Sequence, residues 1–450
     1  MARPTPLSGF PEWLPAGRVV EQHILDSLRH TFELHGYAPV AMRAVEPLED
    51  LLRKGETSKE VYTLHRLHDD AETAGARDRQ LGLRFDLTVP LARYVLENAG
   101  QLAFPFKRYQ IQPVWRGERP QDGRFREFLQ ADIDVIGAET LPFHFEVELP
   151  LVMADALAAL PIGPVRIAVN NRKVAEGFYS AIGLEDVDAV LRSIDKLDKI
   201  GPDAVAELLE AQGASVTQAR ACLDLAAING SDARVADRVR ALGIRSDLME
   251  TGLEELVALL DGAAEQGLRG DDGESPVVAD LKIARGLDYY TGSVYETTLL
   301  GHEQLGSICS GGRYDSLASD GVRTYPGVGL SVGVSRLVAR LLGSSLVRAS
   351  RPVPTAVVVA VVSEAERATS NRIAAALRRR GIPTEVSPSA AKFGKQIRHA
   401  DRRGVPFVWF PGLDGGSDQV KDIRSGSQEE ADAAVWVPPL EDRWPRVERV

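Results

Sequence analysis

FKRYQIQPVWRGERPQDGRFREFLQADIDVIG, residues 106–137, contains two runs of alternating residues separated by the polar segment ERPQDGR. Alternation with a period of two is typical of β-strands, and a polar segment that carries proline and glycine indicates a turn. The stretch therefore predicts two strands joined by a polar connection, the basic unit of an antiparallel sheet.

The second of these strands separates apolar from polar side chains. Its apolar odd positions are Leu129, Ala131, Ile133 and Val135, and its even positions are Arg124, Arg126, Phe128, Gln130, Asp132 and Asp134. A solvated antiparallel sheet would give the same alternation. These polar positions, however, combine both signs of charge with an amide and an aromatic ring, and they include few Lys or Glu residues. That mixture favours the polar surface of a binding site over a solvated face.

Two other stretches repeat this mixture. In LGLRFDLTVP, residues 81–90, alternation predicts a strand with apolar Leu83, Phe85 and Leu87 on one face and Arg84, Asp86 and Thr88 on the other. RGLDYYTGSVYE, residues 285–296, combines Arg285 with the adjacent Tyr289 and Tyr290. We expect all these polar residues to share one sheet surface.

The segment GVGLSVGVSRLVARLLG, residues 327–343, contains GLSVG, which spells the GxSxG nucleophile elbow of serine hydrolases. That motif needs its serine on a sharp turn between a strand and a helix. Glycines alternating with Val and Leu instead predict that Ser331 lies inside a strand with one bare face, which a flat ligand or another backbone can approach. Arg336 follows at the expected junction of strand and helix.

Length and composition indicate two or three globular domains, since the chain has 450 residues and is 44% hydrophobic. Residues 186–276 predict a helical insertion, 343–354 a linker, and 355–450 alternating strands and helices, typical of an α/β domain with a largely parallel sheet. The net charge of −11 argues against bulk attraction to nucleic acid, so a polyanion would need a local basic patch.

Two cysteines without a disulfide or metal pattern favour a reducing compartment, and we expect a cytoplasmic protein. The first residues lack an apolar signal-peptide core and no long apolar run occurs, so we expect neither export nor a membrane span.

Four arginines, Arg116, Arg124, Arg285 and Arg336, accompany acids on the predicted polar surface. A guanidinium group can bind two phosphate oxygens at once, in bidentate fashion, and can stabilise charge that develops during phosphoryl or adenylyl transfer. The pattern suits a nucleoside triphosphate beside a small zwitterion, and the sequence contains no P-loop.

Together, RGLDYYTGSVYE, GSICSGGRYDSL (306–317), WRGERPQDGRFREF (115–128) and the glycine strand ending in Arg336 resemble class II histidyl-tRNA synthetases. The resemblance implies an α+β catalytic domain with an antiparallel sheet over residues 1–342, interrupted by the helical insertion, and an α/β anticodon-binding domain over residues 355–450. It also implies a homodimer that activates L-histidine with ATP to histidyl-adenylate and transfers it to the 3′ end of tRNA(His). Mg²⁺ would accompany ATP, without a dedicated protein metal site.

The family motifs assign roles at the matching positions. For ATP, they place Arg116 at the α-phosphate, Glu118 beside the adenine amine, Phe128 under the adenine ring, and Arg124 and Arg336 at the phosphates, with Arg336 also covering the adenine. Arg285 would act as a catalytic cation at the α-phosphate and the substrate carboxylate. For histidine, they place Asp86, Thr88 and Gln130 around the α-amino group, Asp134 and Tyr290 at the imidazole, and Tyr289 nearby.

In the C-terminal domain, AKFGKQIRHADRRG places Lys392, Lys395, His399 and Arg402 at helical spacing. Such a run is usually a solvated helix face. The resemblance favours contact with the anticodon region of tRNA instead.

The sequence departs from the family pattern at several positions. Val45 precedes Glu46 where a proline is expected, which weakens the evidence for the dimer strand. Ser335 replaces an acid before Arg336, and Asp86 and Asp134 stand where a longer Glu is also common.

Two other classes of function are open at this point. A catalytically inactive histidine-binding paralogue with a regulatory role would resemble the catalytic region, but such proteins usually lack the C-terminal domain and the intact motifs. A serine hydrolase would need a His and an acid next to Ser331.

Overall fold

The structure is a computed structural model, and it describes residues 5–52, 60–65, 80–120, 123–267, 275–284, 289–412 and 416–450. The chain forms two compact units. One comprises residues 1–11 and 25–340, and the other comprises residues 12–24 and 341–450.

The first helix is α1 (Pro15–Leu34). Its apolar residues recur every four positions, so they line one face, and all four are buried: Val20, Ile24, Leu28 and Phe32. Gly36 follows with a φ of 79°, a conformation that favours glycine at the end of a helix.

Twelve strands are described before residue 334. They are β1 (Ala38–Pro39), β2 (Val45–Pro47), β3 (Thr63–Leu64), β4 (Leu81–Leu83), β5 (Phe106–Trp115), β6 (Glu127–Ile136), β7 (Val165–Asn171), β8 (Asn229–Gly230), β9 (Val277–Asp280), β10 (Ser293–Leu299), β11 (Cys309–Tyr314) and β12 (Gly327–Gly333).

Nine of these strands form one sheet in the order β1-β5-β6-β12-β11-β10-β7-β9-β8. Within this order, each neighbouring pair from β5 to β7 is antiparallel. The pairs β1–β5 and β7–β9 are parallel. The predicted antiparallel sheet is confirmed. Of its central strands, β6 carries the candidate residues Phe128, Gln130 and Asp134, and β12 carries Ser331.

The predicted strand over residues 81–88 is wrong beyond Leu83. Strand β4 ends there, and helix α3 begins at Thr88. Arg84 is buried, where its guanidinium donates to the carbonyl oxygens of Pro113 (2.9 Å) and Met42 (2.8 Å). The apolar and polar residues therefore alternate in a turn whose arginine is satisfied by main-chain carbonyls, not on the two faces of a strand.

The helices of this unit lie around the sheet and in the insertion. They are α2 (Leu48–Leu51), α3 (Thr88–Asn98), α4 (His144–Ala158), α5 (Arg172–Ala181), α6 (Val187–Ile194), α7 (Leu197–Ala211), α8 (Val216–Ala226), α9 (Arg234–Arg240) and α10 (Asp247–Glu265). Helices α6 to α10 fall within residues 186–276, so the predicted helical character of this segment is confirmed. Helix α8 begins with a reciprocal capping box between Ser215 and Gln218.

Helix α11 (Val334–Gly343) follows β12 directly. The second unit then contains β13 (Val347–Ala349), β14 (Val357–Val359), α12 (Arg367–Arg379), β15 (Thr384–Val386), α13 (Phe393–Asp401), β16 (Phe407–Phe410), β17 (Gln419–Asp422), β18 (Gln428–Glu430), α14 (Leu440–Arg443) and β19 (Val447–Arg449).

Strand β14 is parallel to both β15 and β16, and β17 and β18 extend the sheet antiparallel, in the order β15-β14-β16-β17-β18. The predicted α/β domain is confirmed, with two antiparallel strands added at one edge. The segment predicted as a linker contains β13, which pairs antiparallel with β19.

Candidate active site

A cavity of about 260 Å³ lies against β6, β11 and β12. Its lining includes six residues selected from the sequence: Arg116, Glu118, Arg124, Phe128, Gln130 and Arg336. They come from the β5–β6 connection, from β6 and from the first turn of α11, so strand pairing brings together positions about 200 residues apart.

The strand register explains why the polar residues share one face. Across β6 and β12, Gly333 pairs with Gln130, Ser331 with Asp132, and Gly329 with Asp134. Paired residues on neighbouring strands point to the same side of a sheet. We call Gln130, Asp132, Asp134, Ser331 and Gly329 the polar floor, and it is the surface that the alternation predicts.

Three arginines, Arg116, Arg124 and Arg336, line the cavity. The guanidinium of Arg116 donates to the carbonyl oxygen of Phe85 (3.0 Å) and lies 5.2 Å from the centre of the Phe128 ring. Arg124 Nη1 is 3.3 Å from Glu118 Oε2. Cationic groups, an aromatic ring and an acceptor thus line the same cavity.

Arg336 is held over the cavity by main-chain oxygens. Its guanidinium donates to the carbonyl of Ser307 (3.0 Å) and to that of Leu305. The preceding Ser335, which replaces the expected acid, is buried and accepts a hydrogen bond from the backbone N–H of Leu129 (2.9 Å). Ser335 therefore joins α11 to β6.

Gln130 points its amide into the polar floor. Its Nε2 donates to Ser331 Oγ (2.8 Å), and Ser331 Oγ donates to Asp132 Oδ1. The other amide atom, Gln130 Oε1, is buried and has no hydrogen-bond partner among the described residues. A buried acceptor without a partner next to a cavity suits a ligand that donates a hydrogen bond.

Asp134, at the next position of the floor, is held by one hydrogen bond and one ion pair. Tyr314 Oη donates to its Oδ1 (2.7 Å), and Arg108 Nη2 lies 2.6 Å from its Oδ2. The bare face of β12 is not open here, because a Cβ on Gly329 would lie 2.0 Å from Asp134 Oδ1. The glycine admits a carboxylate rather than a flat ligand.

The two adjacent tyrosines lie beside this carboxylate. Tyr289 and Tyr290 share a hydrogen bond between their hydroxyls (2.6 Å), and the Tyr290 ring covers Gly312, where a Cβ would lie 2.8 Å from it. Gly312 pairs with Gly329, so Tyr290 and Asp134 occupy neighbouring positions across β11 and β12. Burial raises the pKa of Tyr289 well above its usual value, and the charges of Asp86, Asp134 and Asp132 also raise it.

Asp86 and Thr88 approach this site from the N-terminus of α3 rather than from a strand. Asp86 is buried, and its Oδ1 accepts from the backbone N–H of Val89 (3.0 Å) in the first turn of the helix. Thr88 is the first residue of α3 and is half-buried. Arg285, the predicted catalytic cation, lies outside the described residues.

Three residues in or beside the polar floor are given no role by the sequence. Asp132 is fully buried, and burial, partly offset by the Arg108 charge, raises its pKa to about 7. Arg108 pairs with Asp134 across β5 and β6, and Tyr314 follows the glycine pair of β11. Asp132 lies at an even position of the strand, so the alternation could have identified it. Arg108 and Tyr314, the two partners of Asp134, are recognisable only in the folded chain.

Four basic residues were predicted to line one face of a helix in the second unit. Lys392 precedes α13, and Lys395, Arg402 and Lys392 itself are exposed. His399 is half-buried, with its Nε2 3.5 Å from a guanidinium nitrogen of Arg403, which is itself paired with Glu385 (2.6 Å). The exposed part of this surface therefore consists of Lys392, Lys395 and Arg402.

An antiparallel-rich sheet with arginines at one end of its polar face and acids, an amide and phenols at the other is the architecture of a class II aminoacyl-tRNA synthetase catalytic domain. The family model described as histidyl-tRNA synthetase matches residues 9–337, and the one described as an anticodon binding domain matches residues 356–434. The chain belongs to the histidyl-tRNA synthetase family.

Individual proteins agree with the family match. The histidine–tRNA ligase of Micrococcus luteus is 59% identical over 461 residues, covering 100% of this chain and 99% of that protein. The histidine–tRNA ligase of Thermobifida fusca is 51% identical, covering 96% and 98%. The crystal structure of histidyl-tRNA synthetase from Nostoc sp. PCC 7120 superposes with a TM-score of 0.85 at 35% identity, covering 96% of this chain and 98% of that chain.

These matches confirm the predicted family, fold class and ligase class, and their full-length extent does not support the inactive paralogue. The hydrolase alternative also fails at the site, because Ser331 hydrogen-bonds to Asp132 and Gln130 and no histidine lines the described part of the cavity. Among the described residues, no helix is long and apolar enough to cross a membrane.

Proposed function

We propose that the protein activates L-histidine with ATP and transfers it to the 3′ end of tRNA(His). In the first step a histidine carboxylate oxygen attacks the α-phosphorus of ATP, and the bond to pyrophosphate breaks. In the second step a ribose hydroxyl of the tRNA attacks the histidyl carbonyl carbon, and AMP leaves. The observation that carries the proposal is the unpartnered Gln130 Oε1 between the arginines and the carboxylates of one polar face.

The cavity lined by the arginines would hold ATP. Phe128 offers a ring for the adenine, and Arg116 lies against that ring, where its charge can face the α-phosphate. Arg124 and Arg336 would bind the other phosphate oxygens, and Glu118 would accept from the adenine amine once Arg124 turns to phosphate. Arg285, by the resemblance of RGLDYYTG, would add a further cation at the α-phosphate and the substrate carboxylate.

The carboxylate end of the polar floor would hold histidine. Of the proposed histidine contacts within the described residues, only Gln130 also lines the cavity. Gln130 Oε1 and Asp86 are acceptors for the α-ammonium group, with Thr88 beside them. Asp134 and Tyr290 would bind the two imidazole nitrogens, with Tyr289 supporting Tyr290 through their shared hydrogen bond. A pocket that hydrogen-bonds the ring should reject amino acids that lack it by roughly four orders of magnitude in kcat/KM.

Mg²⁺ would enter with ATP, bound by phosphate oxygens and water, where it neutralises charge on the leaving pyrophosphate. No group of three His, Cys, Asp or Glu side chains within the described ranges is arranged to hold a metal ion. The protein's own contribution to charge neutralisation would therefore come from its arginines.

The domain boundaries predicted from the sequence are part of this proposal. We propose a catalytic domain over residues 1–342, a linker over 343–354 and an anticodon-binding domain over 355–450, in which Lys392, Lys395, His399 and Arg402 contact tRNA. We further propose a cytoplasmic homodimer. Its mass in solution should be twice the 48.9 kDa of one chain, and the two buried free thiols, Cys222 and Cys309, suit a reducing compartment.

The test is exchange of labelled pyrophosphate into ATP with each of the twenty amino acids, measured on the protein and on an Arg285→Ala variant. We expect exchange with histidine alone and a loss of about a hundredfold or more in the variant, because the transition-state charge at the α-phosphate loses a cation. A folded protein that binds histidine but exchanges with no amino acid would overturn the proposal.

A further inference from the structure

Ser331 lies at the centre of the polar floor, although neither proposed step uses it. It is half-buried on β12 and lines the cavity, with Gln130 on one side and Asp132 on the other. Serine is also the residue that made this strand look like a hydrolase motif. Its two hydrogen bonds suggest another task.

The direction of these hydrogen bonds is fixed by chemistry. An ionised carboxylate can only accept, so the single hydroxyl proton of Ser331 is committed to Asp132. Ser331 Oγ can then only accept from Gln130, so the amide must turn its NH₂ towards the serine. The carbonyl oxygen, Gln130 Oε1, is thereby presented as the buried atom without a partner.

We propose that Ser331 and Asp132 are positioning residues that lock the amide of Gln130, so that an acceptor and not a donor faces the α-ammonium group of histidine. The inference rests on the proposed function, because it assigns the orientation of a proposed histidine contact. Without the lock the amide is free to rotate by half a turn, and its NH₂ would then oppose a cation.

The protonation state of Asp132 determines which way the Gln130 amide faces. A protonated Asp132 can donate to Ser331, which releases the serine hydroxyl to donate to Gln130 Oε1 and reverses the amide. The charged, titratable and polar groups around Asp132 are Arg108 and Gln110 on β5, Asp134 on β6, Arg84 and Asp86 before α3, Ser331 on β12, Cys309 on β11 and Tyr289 before β10. Burial outweighs the nearby arginines and raises the pKa of Asp132 to about 7. We therefore expect the Gln130 amide to lose its fixed orientation as the pH falls below neutrality.

The main test compares histidine with its des-amino analogue in a Ser331→Ala variant. The histidine KM in pyrophosphate exchange should rise about tenfold, the cost of an unmade buried hydrogen bond and a misdirected amide. The ATP KM and the inhibition constant of the des-amino analogue should stay within about twofold, since neither ligand uses the ammonium contact. Equal losses for histidine and the analogue would overturn the proposal and indicate a distorted pocket.

A matched control is Ser193→Ala, which removes a buried serine bound to the Gln212 amide (3.1 Å) within the helical insertion. It should leave the histidine KM unchanged, and thermal unfolding of both variants checks that they fold. Exchange by the unmodified protein tests the proposed function separately, so histidine-dependent exchange with an unchanged histidine KM in Ser331→Ala would overturn this inference alone.

The pH profile gives an independent readout. In the unmodified protein, kcat/KM for histidine should fall below about pH 7 through the titration of Asp132 in addition to that of the substrate imidazole. In Asp132→Asn and in Ser331→Ala only the imidazole component should remain. Profiles of the same shape in all three proteins would contradict the lock.

Discussion

At the scale of single residues, Gly329 shows how the site depends on an absent side chain. A Cβ there would lie 2.0 Å from Asp134 Oδ1 and 2.5 Å from its Cγ, distances that no real contact allows. Because Asp134 is also held by Arg108 and Tyr314, it cannot move away without breaking an ion pair or a hydrogen bond.

We therefore expect Gly329→Ala to displace the Asp134 carboxylate. The histidine KM should rise by about tenfold or more, and the free energy of unfolding should fall by roughly 1–3 kcal/mol, as for other overpacked sites. Pyrophosphate exchange and urea unfolding measure the two effects. Gly100→Ala, where a Cβ meets no atom within 4 Å, is the control. A normal histidine KM in Gly329→Ala would show that the carboxylate position is not critical.

Asp132 gives a prediction about stability and pH. Its pKa is raised from 3.8 to about 7, chiefly by burial, so the native state holds a proton that the unfolded chain releases near pH 4. Between these values the native state binds more protons, and its stability must fall as the pH rises. Asp132→Asn has no such titration.

The stability of Asp132→Asn relative to the unmodified protein should therefore increase between about pH 4 and pH 8, by up to roughly 4 kcal/mol. Urea unfolding at several pH values measures this difference. Asp261→Asn, which changes an exposed carboxylate, should show a much smaller trend. A stability difference that does not vary with pH would mean that the pKa of Asp132 is not raised in the native protein.

At the scale of elements, alternation in the sequence identified some strands correctly and misread one. It located β5, β6 and β12, because their neighbours pair with them in register and each face has a single environment. It failed at Arg84, where a buried guanidinium is satisfied by carbonyls from residues about 30 to 40 positions away. Partners so distant leave no periodic signal, and the same reason hid Arg108 and Tyr314.

Helix α13 carries the element-scale prediction for tRNA. Lys392 and Lys395 are exposed at its N-terminal end, where backbone N–H groups also favour phosphate. Replacing both with alanine should raise the KM for tRNA about threefold to tenfold and lower the salt dependence of binding by roughly 1.4 in log–log slope, the value for two single-strand phosphate contacts. Histidine-dependent exchange should not change.

The matched control removes two exposed arginines of α12, Arg372 and Arg379, and so changes the net charge by the same amount. Charging assays on both double variants, over a range of salt concentrations, separate local contact from general attraction. Equal losses in the two variants would assign no special role to α13.

At the scale of the whole molecule, an acidic protein must bind a polyanion through a small part of its surface. The chain has 64 acidic and 53 basic residues, so its overall field opposes RNA and only local clusters attract it. The proposed histidine pocket is the opposite case, since Asp134, Arg108 and Asp86 are buried and their interactions are screened little by salt.

Salt should therefore separate the two steps of the reaction. Raising monovalent salt from about 50 to 200 mM should increase the KM for tRNA by roughly tenfold to twentyfold, as expected for about three phosphate contacts. The histidine KM in pyrophosphate exchange, measured with saturating ATP, should change less than about twofold because its partners are buried. If both constants rose together, the charges that hold histidine would have to be exposed to solvent, and the assignment of Asp134 and Asp86 to the amino acid would be wrong.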